Sequence, residues 1–546
     1  MDQDSKSPGR RKPVSEYIKT AGGDQASEHT SEATTSSAGG SRGGLAIAIG
    51  IPAAVAIIGI IAVVIWFVST GQTSDVSPQL PPATQSAQDA QATGASSQTQ
   101  SSAPSQASQQ PGQSQAAGQP SQTPAQPQAG AGSQSSQPAS ASSTSASGAM
   151  PSGSWPQFRG PNLNAKISVN ASLSTDWQNN PPKKLWSVEL GEGYAGPAVR
   201  DGKVYLLDYD QDKRADVLRC FSLANGNELW SQSYSVMIKR NHGFSRTVPT
   251  LSGKYVVTLG PKCDVMCADA NSGEVYWTMD LVEKYKSKVP SWYAGQCPLV
   301  EGNQVILAPG GTKMMVAVDI ASGNVIWEAP NPMGWDMTHC SIRPMTMNGQ
   351  KMYVYPASGG VVGVAPGGEI LWQTNKWRVS TANIPTPVPV SDGRIFLCGG
   401  YNAGSMMLKL TGSGSNMTPQ VDWTVDARTF GSHQHTPILY QKHLYGVLQS
   451  KELACLDLQG NQKWTSGRTN RFGLGPYIMA NEHMYVLAES GKLVLLNPTP
   501  QSYDEITSAK VLDAPGAQAW GPLAMVEGIL LARDLETMVC LDVRAQ

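Results

Sequence analysis

The sequence is short of charge. Asp, Glu, Lys and Arg make up 15% of its 546 residues and nearly cancel, leaving a formal net charge of -1. That balance by itself says little about partners, and no nucleic acid is expected among them. Cysteine is sparse, with eight residues and no Cys-Cys pair. Lys262-Cys263-x-x-x-Cys267 has no second pair to complete a zinc motif. No Ser-His-Asp arrangement and no glycine-rich phosphate loop can be argued from the order of residues. Residues 70–153 contain no aromatic residue at all and are Ser, Gln, Ala, Pro and Gly almost throughout. Nothing there can build a core, and the stretch is expected to be a disordered linker.

What charge there is falls unevenly. Residues 1–43 are polar and carry Lys6, Arg10, Arg11, Lys12, Lys19 and Arg42, which predicts a disordered cytoplasmic tail. Residues 45–68, LAIAIGIPAAVAIIGIIAVVIWFV, are uncharged and long enough to cross a bilayer, so a transmembrane helix is expected over 44–69. The run is too long, and starts too far in, for a cleaved signal peptide. No Lys or Arg follows the span until Arg159, and this asymmetry puts the N-terminus in the cytoplasm. The expectation is a single-pass protein of the cytoplasmic membrane whose bulk, residues 154–546, is periplasmic or otherwise extracytoplasmic.

That bulk repeats. Pro197 opens a short apolar run, the Asp201-Gly202 turn leads into Lys203 to Leu207, and a third run, Val217 to Leu223, precedes Asn225-Gly226 and Trp230. Short β-rich runs between turn signals read as a four-stranded antiparallel meander. Opening Pro and closing Trp recur together: Pro249 with Trp277, Pro298 with Trp327, Pro344 with Trp372, Pro387 with Trp423, and Pro437 with Trp464. Pro476 opens a unit without Trp, and Pro522 opens one that stops after three strand-like runs. The period is about 45 residues, that of a propeller blade. Lys184 to Leu190 looks like a lone fourth strand, with Trp186 in the closing position. Paired with the unfinished last unit, it would close a ring of eight blades and remove the exposed edges. The fold expected is therefore all-β, an eight-bladed propeller of four-stranded antiparallel blades closed by an N-terminal strand.

Gly202-Lys203-Val204-Tyr205 with Asn225-Gly226-Asn227-Glu228-Leu229-Trp230, repeated as Asp319-Ile320-Ala321-Ser322-Gly323-Asn324-Val325-Ile326-Trp327, resembles the quinoprotein-type, or PQQ-like, β-propeller repeat. The run Trp155 to Asn162 is similar to the start of membrane-associated bacterial members. The resemblance covers about residues 155–546. It implies that Trp186, Trp230, Trp277, Trp327, Trp372, Trp423 and Trp464 pack between blades as structural residues. It leaves function open, because the fold serves enzymes that bind pyrroloquinoline quinone (PQQ) and calcium and also the non-catalytic propeller lipoprotein of the outer-membrane barrel-assembly machinery. The enzymes, as the resemblance implies, hold calcium with Glu, Asn and Asp and often carry adjacent cysteines beside the quinone.

The loops from each Trp strand to the next Pro must share one face. They hold twelve basic residues against five acidic, with His242, His339, His433 and His435 among them. Arg240, Arg246, Arg343, Arg378 and Arg471, with Trp292, Trp335, Trp377 and Trp520, complete a candidate face for an anionic, carbohydrate or envelope-protein partner. His433 and His435 sit at i and i+2, which suggests a hydrogen-bonding pair more than a metal site that lacks a third ligand. Cys220, Cys267, Cys455 and Cys540 occupy one repeat position as small apolar residues, and Cys398 fits a second strand. Cys297 and Cys340 precede adjacent prolines, where a disulfide is one alternative to two free thiols. No cofactor is expected. The expected role is a non-catalytic binding or scaffolding module in the cell envelope. The alternatives are a PQQ- and calcium-dependent dehydrogenase of alcohols or sugars, and a carbohydrate or polyanion binder.

Overall fold

The computed structural model describes residues 153–546, apart from 241–243 and 348. The predicted tail, membrane span and linker lie outside the described residues, and so does His242. Among the described residues no helix is long and apolar enough to cross a membrane.

The first blade consists of Ala198–Arg200, Lys203–Asp210, Ala215–Ser222 and Glu228–Ser235, each antiparallel to the next. Asp201 and Gly202 hold φ of 51° and 70°, the left-handed pair that a tight hairpin needs to match strand twist. The second strand is buried along its length, while every other residue of the outermost strand is exposed. Inner strands are covered on both faces by neighbouring blades and so read as continuous apolar runs. The outermost strand runs on past Trp230 to Ser235, further than the repeat suggested.

Eight such sheets form among the described residues. The last is completed from the other end of the chain, as expected. Lys183–Glu189 pairs antiparallel with Thr537–Asp542, placing Trp186 opposite Cys540. The same register sets Trp230 opposite Cys220, Trp277 opposite Cys267, and Trp464 opposite Cys455. In the blade without Trp, Leu495 faces Thr507.

The closing Trp docks onto the following blade. Trp186 Nε1 donates to the Leu223 carbonyl at 2.8 Å, Trp277 to Ile320 at 2.8 Å, Trp423 to Leu458 at 3.0 Å, and Trp464 to Thr499 at 2.8 Å. In five blades the turn before the outermost strand places a glycine, Gly226, Gly273, Gly323, Gly368 or Gly460, against the preceding blade's indole. A Cβ at Gly226 would come within 2.8 Å of Trp186, and one at Gly273 within 2.6 Å of Trp230. The glycine is therefore required by the indole as well as by its positive φ. Gly273→Ala should cost about 1–3 kcal/mol from overpacking on top of roughly 1–2 kcal/mol for an alanine at positive φ. Gly302→Ala, also at positive φ but with nothing within 4 Å, should show the backbone cost alone. Urea midpoints of the two variants check this, and equal losses would contradict it.

Two sheets carry a fifth strand that the repeat did not foretell. Ser154–Trp155 pairs antiparallel with Ala198–Arg200, and Lys166–Ile167 pairs parallel with Tyr477–Ala480. Between them the chain crosses the propeller axis. The Pro156 carbonyl accepts from Leu251 N at 2.8 Å. Arg159 donates to the carbonyls of Thr436 at 2.7 Å and Pro437 at 3.3 Å. Arg343 donates to the carbonyls of Asn162 and Leu163, and Lys166 to that of Leu439. Residues 154–167 thus tie innermost strands of separate blades together and plug the axis.

Candidate functional site

The Trp-to-Pro loops surround a cavity of about 290 Å³. Phe158 of the plug lines it, as do Tyr194, Trp292 and Trp520. The chain's own N-terminal segment thus forms part of the cavity wall. The Tyr194 and Trp520 rings lie 4.8 Å apart between centroids, and Tyr194 OH donates to Gln518 Oε1 at 2.5 Å. Trp292 and Tyr293 hold φ of 63° and 72°, an uncommon conformation for bulky residues that persists only where surrounding structure enforces it. Here the Tyr293 hydroxyl bonds to the Lys239 backbone, and the Trp292 carbonyl accepts from Arg246 Nε.

Arg246 is the cation on this wall, 5.6 Å from the Tyr194 ring centroid. Burial lowers its guanidinium to about 10, so it stays charged at neutral pH. His339 and His435 also line the cavity. Their Nε2 atoms lie 2.7 Å from the Ser291 carbonyl and 3.0 Å from the Leu474 carbonyl. A carbonyl accepts only, so in each ring Nε2 carries the proton. Burial pushes both imidazoles down to about 4, and they are neutral at pH 7. Among the described residues no carboxylate lines the cavity. Beside it lies an open cleft of about 590 Å³, lined by Lys288, Asp336, Arg378 and Asn383 and sharing His339, Ala382 and Tyr401 with the cavity.

The expected face is thus partly assembled. Arg246, Trp292, His339, His435 and Trp520 meet at the cavity, and Arg378 lines the cleft. Others go elsewhere. Trp335 is buried in a core cluster against Gly360, where a Cβ would sit 2.7 Å from the indole. Trp377 is buried beside Gly399 in another cluster. Arg343 secures the plug, and burial lowers it to about 10. Arg240 pairs with Glu192, and Arg471 donates to the Ser450 carbonyl at 2.8 Å. His433 and His435 do not act as a pair, because His433 packs on Tyr401 with ring centroids 4.9 Å apart. Cys297 and Cys340 are free and turn to opposite neighbours. The first accepts from Val248 N, and the second contacts the Pro385 carbonyl. Phe158, Tyr194, Gln434 and Leu474 line the cavity without having been singled out. For Tyr194 the signal was its place three residues before an opening proline, where Arg246 also stands.

Under the cavity wall lies a buried acid that the sequence did not flag. Asp216 accepts from Ser245 Oγ at 2.5 Å and Tyr234 OH at 3.1 Å, and the Ser245 carbonyl accepts from Tyr194 N at 2.8 Å. Burial raises Asp216 to about 7, against the lowering effect of its two hydroxyl partners. A carboxyl raised in the fold favours the folded state at low pH. That stability is lost as pH rises from about 4, the unfolded value, through about 7. Asp216→Asn should therefore gain stability relative to wild type between pH 5 and pH 8. Urea midpoints at the two pH values test this, and a pH-independent offset would contradict it.

Calcium takes six to eight oxygen ligands, carboxylates prominent among them. Among the described residues no group of three His, Cys, Asp or Glu could hold a metal ion. Together with a cavity wall free of carboxylates, this donor set does not fit a calcium-bound quinone.

The family model for the outer membrane protein assembly factor BamB matches residues 213–466. The domain is a PQQ-like β-propeller similar to BamB. No curated protein matches the sequence. Among solved structures, BamB from Moraxella catarrhalis is 14% identical, covering 67% of this chain and 98% of its own, with a TM-score of 0.48. A europium-containing methanol dehydrogenase is 10% identical, covering 70% and 89%, with a TM-score of 0.41. The quinohemoprotein alcohol dehydrogenase from Comamonas testosteroni is 12% identical, covering 72% and 81%, with a TM-score of 0.41. The assignment of the PQQ-like propeller rests on its strand pairing and the family match.

Proposed function

We propose that this PQQ-like propeller is a non-catalytic binding module of the cell envelope. Residues 45–68 anchor it in the cytoplasmic membrane, residues 70–153 hold it clear of the surface, and the loop face receives an envelope protein. The observation that carries the reading is an aromatic-walled cavity lined, among the described residues, by one cation, two neutral histidines and no carboxylate. Such a wall can hold a side chain or an anionic group. It offers no base tuned near neutrality and no activated nucleophile. Cys297, the one thiol on it, is pushed up to about 11 by burial.

The test is to add PQQ with calcium to the purified protein, then record absorbance and dye-linked oxidation of alcohols and sugars. The expected result is no stoichiometric uptake and no turnover. Uptake with turnover would overturn the binding-module reading in favour of a dehydrogenase.

A further inference from the structure

We infer that the cavity and the adjoining cleft form one site for an extended acidic peptide segment of a partner protein. An aromatic side chain fills the cavity, and the flanking residues lie along the cleft. This rests on the binding-module reading and names its ligand.

The two spaces adjoin, since His339, Ala382 and Tyr401 border both. The inner one is walled by Phe158, Trp292 and Trp520. It suits a single apolar anchor, whose burial drives binding. The outer one is open and polar. Asn383 lines it at 3% exposure, and its Nδ2 has no hydrogen-bond partner. A buried amide donor without a partner costs free energy until an acceptor arrives, and a peptide carbonyl is such an acceptor.

Charge sets the flanks. Lys288 and Arg378 line the cleft and Arg246 lines the cavity. The one acid lining either space among the described residues is Asp336, which Lys288 holds at 2.9 Å. The site is therefore net positive and complements acidic residues. A glycan fits less well. Its hydroxyls need acceptors, the cavity wall has no carboxylate, and the carboxylate of the cleft is already paired. The chain's own linker cannot supply an aromatic anchor, because residues 70–153 contain none.

The experiment titrates the full-length protein with a capped, dye-labelled peptide bearing one phenylalanine between glutamates, read by fluorescence anisotropy. Replacing the phenylalanine by alanine should weaken binding about tenfold or more, the effect of one lost apolar anchor. Replacing the glutamates by lysines should abolish binding. Arg378→Glu, at an exposed position, should weaken the acidic peptide and strengthen the lysine-flanked one. A benzoylphenylalanine in the anchor position should cross-link to the loops that carry Trp292 and Trp520. Equal binding of the phenylalanine and alanine peptides would overturn the proposal. So would adducts outside both spaces, or binding of an oligosaccharide where the peptide does not bind. Such a failure, with PQQ turnover still absent, would leave the binding-module reading standing, whereas turnover would remove both.

Discussion

Deleting residues 1–190 should leave a chain with no cooperative unfolding transition. The cut removes Lys183–Glu189, the fourth strand of the last blade, and strips Thr537–Asp542 of its partner. It also removes Trp186, which is buried, bonded to the Leu223 carbonyl and seated on Gly226. Losing a buried indole alone costs about 3–5 kcal/mol. A domain has only about 5–15 kcal/mol in total, and the cut takes a paired neighbour from three strands and removes the plug as well. Deleting only residues 1–152 should leave the urea midpoint unchanged, because every strand of every described blade is kept. A cooperative transition in the longer deletion, near that of the shorter, would mean the ring does not depend on its N-terminal strand.

Arg533→Ala should be the most damaging single substitution among residues that do not themselves line the cavity. Arg533 is fully buried in the last blade. Its guanidinium donates to the carbonyls of Asp534 at 2.9 Å, Leu535 at 2.8 Å, Gly191 at 3.2 Å and Ala195 at 3.3 Å. Two of those carbonyls lie on the loop that carries Tyr194, so the residue bolts the closing blade to the first. Removing it strands several buried acceptors, at an expected loss on the order of 3–5 kcal/mol. Arg533→Lys, with one donor centre in place of a planar fork, should recover only part of that loss. A loss below about 1 kcal/mol, within the range of ordinary surface substitutions, would contradict the role given to it.

Much of the ring was legible because its signals are local and recur. An opening Pro, a glycine turn and a closing Trp recur in the same order from blade to blade. Trp186 was recognisable outside the repeats because the run Lys184 to Leu190 looks like a closing strand and the last unit lacks one. The plug was not legible. Arg159 reaches carbonyls 277 and 278 residues away, and a side chain bonded to distant backbone leaves no pattern in sequence. The cavity wall was legible in part, for a similar reason. Loop membership placed Trp335 and Trp377 at the mouth, yet Gly360 and Gly399 lack the side chains that would have kept these indoles out of the core. Arg343 stands beside an opening proline as Arg246 nearly does, but it points to the plug. Side-chain direction within an irregular loop is set by its neighbours in space, which the order of residues does not record.

The most direct measurement of the central claim is photo-cross-linking in living cells from two single positions. One is 378, on the loop face beside the cavity. The other is 482, in the exposed turn after Tyr477–Ala480 at the opposite end of its blade. A discrete adduct with an envelope protein is expected from position 378 and none from position 482. An adduct from 482 alone, or none from 378, would contradict the central claim.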